Sequence, residues 1–529
     1  MTDIISSDDG SPWSATEGTD RPASGGGWRR LRGASQTTAM TAAVSLVLVG
    51  GVTTVAVRNF APGADPAAVV PASAFAFAEL DLSLPDGQDA AVAHLVDRFP
   101  GALKGSGSIR DRLLRAFFKS TSDPHVDYSS VEPWLGDHVA VAGWTDDSGA
   151  PQVEFVVQSS DDAAARKTVH DAAPDVGIAF SHGFAVLAPS QQNADAAVRA
   201  AAKSALAGSK TYAGDAAALD GSPLATAWVD GPATVKAIAH AVADKAGGLQ
   251  FLSDSGLTDS ATGRIVAGLR VSDDGGSSAV QLDVVSRGSA PSKRSTSTDR
   301  FRHLPATTFA AAAIADPAGV VRDATEAIKG PLGLFTGGGG ESGSCVATPG
   351  SAQPQCTESP APGPTDPLQM VTDATGLKLP GDLASLLGSD AVVAYGGIAG
   401  DGTPKIGVRS KPADVTAAAD VVTKLRNKLV DTDIALAERT AGGDFVVATT
   451  DGYADDLAKA GTLDTVDTFS DAMRGMPASV GFAAYVDLGT LLPLATHGAA
   501  PQLDRLRALG VWSGVVNGLP TTQVRVLIH

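Results

Sequence analysis

Apolar residues recur along this chain in two rhythms, short strand-like runs and helical stripes, and the two alternate. Ala74-Phe75-Ala76-Phe77-Ala78-Glu79-Leu80-Asp81-Leu82 reads as a strand. Val92, Leu95, Val96 and Phe99 fall on one face of a helix, as do Ile109, Leu113, Leu114 and Phe117. Ala194 to Leu206 and Val415 to Leu429 read as longer helices that cover a sheet. Asp273-Asp274-Gly275-Gly276 and Asn517-Gly518 each separate two apolar runs, and both tolerate the positive φ of a type I′ hairpin turn. Short turns between adjacent strands argue antiparallel pairing. The predicted class is α+β, with helices packed on one face of each antiparallel sheet.

The pattern is written twice. Val70-Pro71 and the strand from Ala74 are answered by Leu304-Pro305 and Thr308-Phe309-Ala310-Ala311-Ala312-Ala313-Ile314. Trp134-Leu135-Gly136-Asp137 and the run behind it answer to Leu386-Leu387-Gly388-Ser389-Asp390. Gly183 to Ala188 answers to Gly443 to Ala448, and Leu224 to Asp230 answers to Gly481 to Asp487. Both copies close on a hairpin. The expected organisation is a disordered tail (1–38), a transmembrane helix (39–58), one copy over 68–290 and a second over 303–529. A Gly/Pro-rich insertion near 334–366 has no counterpart in the first copy.

The span itself is Gly33 to Val57, an uncharged stretch behind Trp28, Arg29, Arg30 and Arg32. About 20 apolar residues cross a bilayer core, and basic residues ahead of the span keep the N-terminus in the cytoplasm. The expected location is the cell membrane, single-pass, with the remainder of the chain extracytoplasmic. A cleaved signal peptide is the competing reading, but the long tail before the arginines and the lack of a clean small-x-small cleavage site after Val57 oppose it. Arg29-Arg30 lacks the apolar follow-on of a twin-arginine export signal.

The net charge is −18 and aromatic residues make up only 5% of the chain. So acidic a surface repels polyanions, which argues against a nucleic-acid partner. Only Cys345 and Cys356 are present, both within the Gly/Ser/Pro-rich insertion. An oxidising compartment supports a structural disulfide between them. A redox or metal role would want Cys-x-x-Cys spacing or a nearby His, and neither occurs.

Val70 to Leu82, followed by Asp86-Gly87-Gln88 and Arg98-Phe99-Pro100, resembles an actinobacterial family of membrane-anchored proteins known only as a domain of unknown function. Val131-Glu132-Pro133-Trp134-Leu135-Gly136-Asp137 resembles that family's second landmark. The resemblance covers nearly everything from about residue 68 onward. It implies a location and a topology, and it implies no activity.

Motifs for chemistry are sparse. No Gly-x-Ser-x-Gly elbow or Ser-x-x-Lys signature occurs, and Gly105-Ser106-Gly107-Ser108 lacks a Walker lysine. None of the nine histidines forms a His-x-x-x-His or His-Glu-x-x-His group, so no metal site is expected. Glu79 and Asp81 lie two apart on one strand, on one face with Phe75 and Phe77. Such a pair could serve a sugar, but the second copy carries Ala313 and Ala315 there, which favours a strand end reaching solvent. Trp134 is expected to anchor a turn rather than offer a platform. The expected function is therefore an anchored binding or scaffold protein of the bacterial envelope, without catalysis or cofactor. Its partners would be the membrane and an envelope protein, glycan or lipid, and the seam between the copies is the default place for a groove. The alternatives are a hydrolase assembled only in the fold and an apolar-ligand or lipid carrier.

Overall fold

The computed structural model describes residues 65–84, 88–98, 108, 110–111, 128–242, 263–274, 277–288, 294–320, 345–346, 355–356, 372, 376–378, 381–430, 434–496 and 503–529. The span from Gly33 to Val57, the stripe from Ile109 to Phe117 and most of the insertion lie outside them. Among the described residues no helix is long and apolar enough to cross a membrane.

The first half contributes β1 (Ala74–Asp81), β2 (Leu135–Thr145), β3 (Pro151–Ser159), β4 (Gly177–Ser181), β5 (Phe184–Ala188), β6 (Ala225–Asp230), β7 (Arg264–Asp274) and β8 (Ser277–Arg287). A short β9 (Thr296–Ser297) leads into the second half. There follow β10 (Ala310–Ala315), β11 (Cys345–Val346), β12 (Gln355–Cys356), β13 (Asp390–Ile398), β14 (Pro404–Ser410), β15 (Ala437–Ala441), β16 (Asp444–Ala448), β17 (Ser479–Val486), β18 (Leu506–Val516) and β19 (Leu519–Ile528).

Pairing in the first half runs β4–β5–β3–β2–β1–β6–β7–β8, all antiparallel. The second half runs β15–β16–β14–β13–β10–β17–β18–β19, the same order of equivalent strands. Local devices repeat as well. Asp161 and Asp414 each accept from two backbone N–H groups at the start of the helices Asp162–Ala172 and Val415–Lys428. Ser190 and Thr450 cap the helices Gln191–Lys203 and Asp451–Ala458 in one manner. Side-chain caps of this kind satisfy amides that the first helical turn leaves free. Tyr212 packs edge-on to Trp228 in one half, and Phe469 edge-on to Tyr485 in the other.

The expected fold class needs two corrections. The halves do not form two tandem sheets: β8 pairs with β19 from Ser278↔Ile528 to Val285↔Thr521, giving one sheet of 17 strands. Each last strand would otherwise present an unpaired edge, and each satisfies the other's backbone groups. Helices also cover both faces rather than one. Val156 packs in a core with Ala197 of the helix Gln191–Lys203, whereas its neighbour Val157 packs with Ala165 of the helix Asp162–Ala172. Successive strand residues point to opposite faces, so both faces are in part buried.

Tracing Phe77↔Trp228↔Val266 in one half and Ala311↔Tyr485↔Gly510 in the other makes Asp283 the equivalent of Gln523. These two residues stand directly opposite each other, so the pseudo-two-fold axis passes between them. The hairpin turn at Asn517 (φ 51°) and Gly518 (φ 78°) has the left-handed backbone that its residues favour.

Candidate functional site

The two faces of the joined sheet differ at its centre. On one face, polar side chains meet around the axis, with Asp283, Gln523 and Arg525 buried and Arg270 and Gln281 partly so. Asp283 accepts from Arg270 Nη2 at 2.5 Å, from Gln281 Nε2 at 2.9 Å and from Gln523 Nε2 at 3.0 Å. Gln523 Oε1 in turn accepts from Trp512 Nε1 at 3.0 Å, and Gln281 Oε1 from Arg525 Nη1 at 2.5 Å. Mutual satisfaction of this kind is what lets polar groups stay out of water.

The opposite face is apolar and reaches solvent. Leu282, Val524, Val511, Ala484, Ala312 and Val393 stand in one cross-strand row over β8, β19, β18, β17, β10 and β13. At a strand spacing of ~4.8 Å that row is about 24 Å long. The row beside it is Val280, Val526, Leu509, Val486, Ala310 and Tyr395. The helix Gln88–Arg98 covers one end of the second row, where Val92, Leu95 and Val96 meet Val271, Val280 and Val526. Leu282 is 36% exposed, Phe482 37%, Val515 44% and Ile265 45%, and strand alternation places all four on this face. No charged side chain stands in either row. Of the four exposed residues only Leu282 stands in either row; Phe482 lies in the next row, with Val284, Thr522 and Ser513, and Ile265 and Val515 lie a row beyond, beside Ser286 and Pro520. Exposed large apolar residues gathered on one uncharged face are what marks a candidate binding surface.

The carboxylates singled out in the sequence come out differently. Glu79 keeps its place on the face of Phe77, where burial, then the nearby Asp65 and Asp81, push its carboxyl up to about 7 against a bond from Thr226. Asp81 accepts from Ser83 N at 2.8 Å and lies 3.7 Å from His138 Nδ1. Phe75 does not share that face. A bulge between Ala74 and Ala76 turns it to pack with Ala76 and Ala237, away from Phe77, so the disfavoured aromatic carboxylate arrangement is not assembled, and of the two acids expected to reach solvent Glu79 is instead largely buried. Trp134 is 3% exposed and donates to Ser130 O and Thr168 Oγ1, both at 3.2 Å, which makes it an anchor.

One acid escapes sequence reasoning. Glu154 on β3 is fully buried, and among the described residues neither of its oxygens has a hydrogen-bond partner of good geometry. Burial pushes its carboxyl up to about 8, against a smaller opposing pull from Trp144. The only signal was a Glu among inward residues of a strand whose alternate positions look polar (Gln152, Glu154, Gln158) and therefore read as solvent-facing.

Cys345 and Cys356 stand directly opposite in the β11–β12 ladder, and their side chains lie outside what is described. Among the described residues no three His, Cys, Asp or Glu side chains gather as a metal-holding group. Buried ion pairs are instead closed on themselves: Asp215 holds Arg264 at 2.6 Å, and Asp444 holds Arg300 at 2.9 Å and Arg409 at 2.8 Å. No protein-family model, curated protein or solved structure matches the chain, so the family resemblance rests on the residues from 70 to 137 alone.

Proposed function

We propose that this is a membrane-anchored, extracytoplasmic protein of the bacterial envelope that acts by binding, and that its ligand is hydrocarbon laid along the open apolar face at the seam. The observation that carries the reading is the exposure of Leu282, Phe482, Val515 and Ile265 on one side of a continuous uncharged floor. Folding leaves such side chains in water at a cost of about 25 cal/mol per Å² of apolar surface, and an apolar ligand recovers it. An acyl chain suits this floor better than a glycan, because a glycan needs convergent polar groups and the two rows offer almost none. The row's length of about 24 Å exceeds one leaflet's share, about 15 Å, of a 30 Å hydrocarbon core, so an extended chain fits along it. The anchor and its orientation rest on the arginines before Gly33 and on the apolar run behind them.

Native mass spectrometry of the full chain from its own membranes, with lipid extraction, tests this directly. A stoichiometric acyl-bearing adduct is expected, together with saturable binding of a fluorescent fatty acid. Leu282→Asp with Phe482→Asp is expected to abolish both. A clean apo mass with no saturable probe binding overturns the reading, as does equal binding by the double variant.

A further inference from the structure

The segment Asp65–Val70 joins the folded body to the chain that leads back to the apolar span. It is docked firmly: Ala67, Val69 and Val70 are fully buried, in one core with Phe77, Trp144 and Tyr212. Leu206 N donates to Val70 O at 2.8 Å and Ala72 N to Ser204 O at 2.9 Å. The turn Pro66–Ala68 lies against β2 and β3, the strands that carry Trp144 and Glu154. Asp65 caps that turn, accepting from Ala67 N at 2.8 Å, and its charge acts on Glu79 and on Tyr212. Two acids thus lie in the core that the segment closes, and one of them, Glu154, has among the described residues only the Trp144 indole beside it and no charged partner.

The second half contains the same device without the two core glutamates, although Asp299 stands where the first half has Asp65. Leu463 N donates to Leu304 O at 3.0 Å, as Leu206 N does to Val70 O, and Leu304 and Phe301 are fully buried. Strand pairing puts Ala313 where the first half has Glu79, and Gly407 where it has Glu154. Arg300 ties that half down instead, through Asp390 and Asp444.

We propose that Asp65–Val70 is a latch on the juxtamembrane end of the first half, held while Glu79 and Glu154 are neutral and released when they ionise. Ionised Glu154 would be a buried charge met only by the Trp144 indole, and ionised Glu79 would face Asp65 and Asp81. Among the described residues no cation acts on either. His138 from β2 faces Asp81, the helix Lys210–Ala216 offers Tyr212, and Arg199 and Lys203 of the helix Gln191–Lys203 are exposed. The sign follows from linkage. Both carboxyls bind protons more tightly latched than released, so release frees protons and becomes easier as pH rises from the ordinary value of 4.5, levelling off near 7 for Glu79 and near 8 for Glu154. Each acid multiplies the opening constant by about tenfold per pH unit inside its window, hence by some tens-fold between pH 5 and 7.

Amide hydrogen exchange on the full chain in detergent, corrected for intrinsic rates, reads this at Ala67, Ala68, Val69 and Ala72. Their opening is expected to rise steeply from pH 5 to 7, while the matching stretch around Leu304 stays flat in the same sample. Glu154→Gln and Glu79→Gln should each remove about one decade per pH unit, and the double variant should be flat. Carboxyl ¹³C titration of the unmodified chain checks the groups without any substitution. A flat profile at residues 67–72, a double variant with the wild-type slope, or both carboxyls titrating near 4.5 overturns the proposal.

Discussion

Replacing Asp283 with Ala removes the shared acceptor on the pseudo-two-fold axis. Arg270, Gln281 and Gln523 all donate to it, and the Asp283 and Arg270 side chains are only 11% and 25% exposed. Breaking a buried ion pair by removing one partner costs about 3–5 kcal/mol, because the remaining charge is stranded. Arg270 is a quarter exposed and also donates to Asp220 O, so the low end applies, about 3 kcal/mol. Asp283→Asn keeps the shape and one acceptor oxygen and loses the charge, for about 1.5 kcal/mol. The assay is urea unfolding of the full chain, followed by tryptophan fluorescence and by circular dichroism, with Arg270→Ala and the double variant completing a cycle. A coupling of 1–3 kcal/mol is expected for residues in direct contact. The position predicts a second signature. Asp283 and Gln523 lie where β8 meets β19, so weakening the pair should turn one transition into two as the halves part. Asparagine proving as damaging as alanine, or an alanine cost below about 1 kcal/mol, would refute the reasoning.

Further outcomes follow from other positions. Gly388 has φ +63° and an added Cβ would fall 1.9 Å from Lys411 O, so Gly388→Ala should cost about 2–4 kcal/mol in the same unfolding assay. Gly402, at φ +88° with nothing within 4 Å, should lose only about 1–2 kcal/mol as Ala. Leu282→Asp should lower stability by under about 1 kcal/mol, since the side chain already meets water, while hydrocarbon binding is lost. Burial pulls the Asp444 carboxyl up, but bonds from Arg300 and Arg409 outweigh it and hold the group below its usual value of 3.8. Its contribution is therefore present above that value and lost as pH falls through the depressed one, so Asp444→Asn should flatten the acid limb of a stability–pH curve. Peptide mapping without reductant should recover Cys345 and Cys356 as one linked pair. Opposed residues of an antiparallel ladder stand about 4.5–5.5 Å apart at Cα, within disulfide range. Recovery of free thiols from the native envelope would exclude it.

What the sequence determined by itself is local. The repeated order of apolar runs, the turn at Asn517-Gly518 and the Asp or Ser/Thr ahead of each capped helix are contacts between near neighbours, so their residues suffice to specify them. Tertiary structure decided what depends on distant pairing. β8 and β19 meet across some 240 positions, and nothing in either strand's alternation names the other as its partner. Alternation says that two faces differ, not which one is covered. In β3 the polar-looking side, with Gln152, Glu154 and Gln158, lies under the helix Gln191–Lys203, while Phe155 on the apolar side is 36% exposed. Phe75 changed faces because one extra residue at a bulge resets the period of two, a shift that composition does not encode. The open apolar floor and the buried Glu154 both arise in this way. Each is an ordinary strand residue whose environment was set by which helix, from a distant part of the chain, came to cover it.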